Sequence, residues 1–183
     1  MKTILYINPL LEEINFLIFQ WENTIKKTLP KNFNTASTFP KMLVDLVDLY
    51  SIDTIFCVTG PWPFTLMRVV TLAINAITYT RTIRIKSCHF FDLIRNGNIP
   101  IIEANTKEYL IKIGVDIINI EKELLKKWTY EWIISSNPST ENIKYIQYCD
   151  NASNLLQVFL EKIYETKIVP IYFKPPHITW PKI

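Results

Sequence analysis

The apolar residues of this chain switch repeatedly between strand and helix spacing within its first half, and the order of those switches limits the folds open to it. Residues 3–9, from Thr3 to Pro9, read as a buried strand stopped by a turn at Asn8-Pro9. Residues 13–20 are again strand-like and rich in Ile and Phe, and 22–29 make a weaker third strand. Short turns between them predict an antiparallel meander. The spacing then changes. Phe39, Met42, Leu43, Leu46, Val47 and Tyr50 fall three and four apart, which predicts a helix over 38–50. Val44 and Leu49 widen its apolar zone beyond what one packed face needs. Residues 54–58 are wholly apolar, as a strand covered on both faces is.

A tight turn, Thr59-Gly60-Pro61-Trp62-Pro63, leads into a second helix over 64–81. This helix is apolar nearly all round: Leu66, Met67, Val69, Val70, Leu72, Ala73, Ile74, Ala76 and Ile77. A sheet below and a helix beside it leave part of such a surface over. Two outcomes fit: complete burial within the domain, or a surplus that meets a partner.

Further on, 82–87 reads as a strand and 89–96 as a short helix ended by Gly97. Residues 99–113 read as a hairpin turning through 104–107, and 118–128 as a short helix. Strands are expected at 129–134 and 143–148, around the polar loop 135–140. An amphipathic helix is expected at 152–166, a last strand at 168–173 and an extended tail from Pro175. The order predicts an α/β chain with a mixed sheet and flanking helices. A first lobe covers 1–97, and a smaller one covers 98–183, with the last strand packing back.

Composition removes several function classes. The chain has 183 residues but only three glycines, Gly60, Gly97 and Gly114. Loops that cradle phosphates need glycines close together so that backbone amides approach the anion. None cluster here, which argues against the usual kinases, NTPases and dinucleotide enzymes. Twenty basic residues against 17 acidic leave a charge of +3, too mild for a nucleic-acid footprint. The densest basic cluster, Lys122, Lys126 and Lys127, is interleaved with Glu121 and Glu123 and reads as a solvated helix face. Cys57, Cys88 and Cys149 are widely spaced and read as reduced thiols, with no zinc knuckle. Neither a signal peptide nor a membrane-spanning apolar run is apparent, so a cytoplasmic location is expected.

The segment from Ile52 to Arg68 resembles the signature of the TsaB (YeaZ-like) family, in which a buried strand leads into Gly-Pro-Gly-Ser-Phe-Thr-Gly-Leu-Arg and a helix. Gly60, Pro61, Phe64, Thr65 and Arg68 match in place, whereas Trp62, Pro63 and Leu66 do not. Val169-Pro170-Ile171-Tyr172-Phe173-Lys174 resembles the family's closing Pro-x-Tyr-x-Arg strand. Glu103-Ala104-Asn105 stands where the family usually has Asp-Ala-Arg, and Asn8-Pro9-Leu10 where it has Asp-Thr-Ser.

This resemblance implies a two-lobed ASKHA-type (actin-like, RNase H-like) fold without catalysis. It implies a scaffold role in making threonylcarbamoyladenosine in tRNA, in partnership with the larger paralogue TsaD and the ATPase TsaE, with tRNA contacted only indirectly. ATP or ADP at the interface with TsaD is the cofactor it allows, and the chain itself is expected to hold none. The partner interface would be carried by Met42, Val44, Leu46 and Leu49 on the first helix. On the second it would be carried by Met67, Val70, Ile74 and Ile77. The alternatives are a standalone ASKHA-type phosphotransferase or acyltransferase, and a homodimer that has drifted to another binding role.

Single residues add less. Arg68 fits either an ion pair or phosphate contact at the interface, or a helix-edge arginine whose stem packs on apolar surface. Thr65 reads as support for the turn. Trp62 fits a plug in the cleft, an interface anchor or core packing. His89 beside Cys88, with His177 distant, gives no metal-ligand pattern. Asn8 and Asn105 in place of charged residues point away from phosphate chemistry.

Overall fold

The computed structural model describes residues 2–11, 13–21, 23–32, 34–60, 64–94, 101–103, 107–113, 116–125 and 152–172. Its centre is a five-stranded sheet built from β1 (Ile4–Asn8), β2 (Glu13–Gln20), β3 (Asn23–Pro30), β4 (Thr54–Val58) and β5 (Arg84–Cys88). The strand order is β3-β2-β1-β4-β5. β1, β2 and β3 form the antiparallel meander, with Tyr6 opposite Leu17 and Ile18 opposite Ile25. β4 and β5 add in parallel, with Tyr6 beside Phe56 and Cys57 beside Ser87. This mixed sheet with crossover helices is the α/β arrangement expected from the order of periods.

The parallel additions need crossovers, and two helices supply them. α1 (Thr35–Tyr50) joins β3 to β4, and α2 (Phe64–Thr80) joins β4 to β5. α1 starts three residues before the expected position. Pro40 sits inside it, yet the hydroxyls of Thr35, Ser37 and Thr38 bond the carbonyls of Asn32 and Asn34 and close the first turn. Both helices pack on one face of the sheet, where Leu5, Ile7, Phe16, Ile18, Ile55 and Ile85 meet Phe39, Leu43, Val47, Val70 and Ile74. The other face buries Tyr6, Leu17, Phe56 and Val58 under Phe90, Phe91, Val158 and Phe159. Each such side chain, fully buried, contributes about 1.5–3 kcal/mol. With both faces covered, every residue of β4 is buried. β3 is one edge of the sheet, and Lys26, Lys27 and Pro30 blunt it against further pairing.

Residues Phe90–Leu93 form one 3-10 turn, shorter than the helix expected over 89–96. A capping box closes it: His89 accepts from the Phe91 amide, and Asp92 accepts from the His89 amide. A three-stranded antiparallel sheet follows, β6 (Ile101–Glu103), β7 (Glu108–Ile113) and β8 (Asp116–Glu121), in that order. β6 and β7 are the expected hairpin. β8 corrects the expected helix over 118–128: among its described residues, 118–121 are strand and only the turn α3 (Lys122–Leu125) is helical. Ile117 and Ile120 belong to the run 116–121, whose full pairing with β7 fixes the backbone as a strand, and Leu124 lies in the turn α3.

α4 (Ala152–Glu161) packs beside the 3-10 turn and β5. Of the expected strand at 168–173, the described residues 168–171 run as a strap without a ladder, Tyr172 forms a single bridge, and 173 lies outside the described residues. The backbone of 165–171 touches β5 at Glu165 and Ile85, bonds Asn75 of α2 at Ile168, and reaches Thr59 at Ile171. The expected strands at 129–134 and 143–148, the turn Pro61-Trp62-Pro63, Gly97, Asn105, Cys149 and the tail from 175 lie outside the described residues. Among the described residues, no helix is long and apolar enough to cross a membrane.

Candidate partner-binding face

α2 holds one charged residue, Arg68, among its 17. Its inward side is set by Val70, Ile74 and Ile77, which are buried on the sheet. The opposite side follows from helix spacing and carries Thr65, Arg68, Leu72, Ala76 and Tyr79. Leu72 is 59% exposed and Tyr79 is 92% exposed. The neighbouring outer side of α1 presents Val44, 39% exposed, and Leu49, 72% exposed, among Lys41, Asp45 and Asp48. Asp48 joins the two helices at their ends. Its carboxylate accepts from both terminal nitrogens of Arg81, one of them at 3.2 Å. That hydrogen bond, with the carboxylate charge, holds the Arg81 pKa above its ordinary value.

The expected interface residues divide sharply. Val44 and Leu49 face solvent, and Met42 is half-buried against the core beneath. Leu46, Val70, Ile74 and Ile77 lie inside the chain's own core on the helix side of the sheet, and Met67 lies in the cluster on the other face. Those five are corrected as surface residues, because packing on the sheet takes them out of reach. Leu72 and Tyr79 are the outward residues that sequence reasoning passed over. The signal was the phase of α2: once Val70, Ile74 and Ile77 point inward, Leu72, Ala76 and Tyr79 point out.

The motif residues serve the end of β4. Gly60 has φ +134°, a backbone region that only glycine enters freely. A Cβ there would stand 2.2 Å from the Ile171 carbonyl oxygen. The Ile171 amide donates to Thr59 O at 2.8 Å, and the Phe90 amide donates to Gly60 O at 2.8 Å. This glycine is therefore required by the returning strap. Phe64 begins α2, and Thr65 and Arg68 are exposed on its first turns. Asn8, at the end of β1, is buried and its side chain accepts from the Leu10 amide at 3.0 Å, a local turn bond.

Titratable groups near this end of the sheet are held by burial. Burial pushes the Cys57 and Cys88 thiols well up, so both are protonated at neutral pH. Burial also holds the His89 imidazole down at about 4, helped by Lys112 and Lys162 and opposed by Asp92. His89 stacks on Phe91, and its buried Nε2 has no hydrogen-bond partner among the described residues. Burial would raise the Asp92 carboxyl, but bonds from Lys162 at 2.6 Å and from the His89 amide lower it overall. Among the described residues, no three His, Cys, Asp or Glu side chains converge as a metal site.

No protein-family model and no curated protein matches the sequence. Solved structures do match. The crystal structure of a Pseudomonas aeruginosa protein described as similar to peptidase YeaZ superposes with a TM-score of 0.63 at 14% identity, over 95% of this chain and 100% of that one. YeaZ from Pseudomonas aeruginosa superposes with a TM-score of 0.63 at 13% identity, over 94% of this chain and 100% of that one. The chain therefore has the ASKHA-like fold of YeaZ, reached with little sequence in common.

Proposed function

We propose that this chain is a non-catalytic partner subunit of the TsaB type, which docks the outer face of α1 and α2 on the larger paralogue TsaD. In this reading it holds TsaD in the form that completes threonylcarbamoyladenosine in tRNA. TsaE joins the assembly, and any ATP or ADP sits at the interface with TsaD. The chain acts in the cytoplasm, with residues 1–97 as the docking lobe and 98–183 as the smaller one.

One observation carries the reading: a helix pair on a YeaZ-like fold leaves Leu72, Tyr79, Leu49 and Val44 in water. Large apolar groups exposed together on adjacent helices mark contact surfaces. The site chemistry supports a binding role. The thiols of Cys57 and Cys88 are buried and protonated, and the strap occupies the end of β4, beside Gly60.

The test is a binding titration of TsaD from the same organism against the wild-type chain and Leu72→Glu. A glutamate in the middle of the face should cut affinity at least a hundredfold and leave the far-UV circular dichroism unchanged. A Leu72→Glu chain that binds as tightly as wild type removes this face from the account.

A further inference from the structure

The two edges of the five-stranded sheet are protected in different ways. β3 carries its own guards, because Lys26, Lys27 and Pro30 stand exposed on it. Among the described residues, β5 is the opposite edge. Its central residue, Lys86, is buried and turned toward α4, where the amine donates to Phe159 O at 2.8 Å. A lysine held in this way does not repel an incoming strand.

Glu165 stands at this edge in place of a strand. Its amide donates to Ile85 O at 2.9 Å, an isolated antiparallel bridge. Its carboxylate accepts from the Ser87 amide at 2.9 Å and from the Ser87 hydroxyl at 2.6 Å. One residue thus serves an outward carbonyl and an outward amide of β5 that a neighbouring strand would serve with two of its own. The arch 163–167 around Glu165 is anchored at its ends. Lys162 donates to Asp92 at 2.6 Å, and the Ile168 backbone makes two bonds with the Asn75 side chain. Between those anchors, Ile163 is 80% exposed, and Thr166 and Lys167 are also exposed. The Tyr164 ring adds contacts to the cations of Arg84 and Lys86, at 4.9 and 4.6 Å. The arch buries little apolar surface, so the bonds of Glu165 are what close it on β5. Segments of this kind open locally at a cost well below that of global unfolding.

We infer that Glu165 is an internal guard of the β5 edge: its carboxylate stands in for the carbonyl of a neighbouring strand, and its withdrawal turns β5 into a strand-addition site that a second copy of this chain fills. Antiparallel pairing of two β5 strands about a twofold axis is self-complementary, because each copy offers the same outward Ile85 carbonyl and Ser87 amide. With Lys86 turned away, the paired edges bring no lysines face to face. This guard is independent of the proposed docking on TsaD, which uses α1 and α2.

Light scattering and native hydrogen exchange test the guard in a Leu72→Glu parent, in which association through the helix face does not contribute. Glu165→Ala should gain mass over the parent as concentration rises. At low concentration its Ser87 amide should exchange about tenfold faster than in the parent, and pairing at high concentration should protect it again. Glu165→Gln keeps an accepting oxygen and should behave as the parent does. A Glu165→Ala chain of unchanged mass, or one whose Ser87 exchange does not respond to concentration, overturns the inference. So does a Glu165→Gln chain that associates as Glu165→Ala does. If Glu165→Ala does not fold, Glu165→Asp, one methylene shorter, is measured in its place and the same outcomes decide.

Discussion

Gly60→Ala tests how the chain is closed. The added methyl carbon would lie 2.2 Å from the Ile171 carbonyl oxygen, against an ordinary carbon–oxygen approach of about 3.3–3.6 Å. The obstacle is backbone, so no side-chain rotation relieves it, and the strap must retreat by about 1 Å. Retreat weakens the Ile171 amide bond to Thr59 O, worth about 0.5–1.5 kcal/mol net. Alanine at φ +134° adds about 1–3 kcal/mol of backbone strain. The lower entropy of the unfolded alanine chain returns about 0.4–1 kcal/mol. The balance is a loss of roughly 1–4 kcal/mol. With an m-value of about 2–3 kcal/mol/M, the urea midpoint should fall by roughly 0.3–2 M. Hydrogen exchange should also speed up at the Ile171 amide before it does at β1 or β4. A midpoint within about 0.2 M of wild type, with Ile171 exchange unchanged, would refute the reasoning.

Three further outcomes follow from the same contacts. Asn75→Ala removes both bonds to the Ile168 backbone, at 2.8 and 2.9 Å, and should cost about 1–3 kcal/mol in urea unfolding while loosening exchange across 165–171. His89 takes up a proton less readily folded, with its pKa near 4, than unfolded near 6.5, so stability should be full above pH 6.5, decline toward pH 4 and level off below. His89→Asn keeps an acceptor for the Phe91 amide and should flatten that decline; a wild-type chain with constant stability between pH 6.5 and 4 would contradict the burial of this imidazole. Cys57 and Cys88 should resist alkylation in the native protein and react on unfolding, as peptide mass spectrometry would read directly; rapid native labelling of either would contradict their burial.

The first half of the fold was legible because its apolar spacing agrees with its tertiary pairing. The bounds of β2 and β4 coincide with the periodic runs, and α2 differs from its expected range by one residue at the C-terminal end. Legibility fails where pairing overrides spacing. The segment 118–128 reads as helical, but β7 offers a complete ladder to 116–121 and that part becomes β8. It fails again at the strap. Residues 168–171 are an apolar run of strand length, yet their backbone bonds Asn75 at Ile168 and Thr59 at Ile171. The exposed helix face was half legible. Apolar content all round α2 announced a surplus, but not its direction, which depends on which residues the sheet takes first. Gly60 was visible as a motif glycine. Its physical reason, a carbonyl more than 100 residues away in sequence, is not written in the motif.

The account stands most directly on whether this chain forms a stoichiometric complex with TsaD of the same organism. Size-exclusion chromatography with light scattering, on the chain alone and on the mixture, measures this. The account predicts a single new peak with the mass of one copy of each protein. Two unshifted peaks, with the chain dimeric by itself, would contradict it and assign the exposed helix pair to self-association instead.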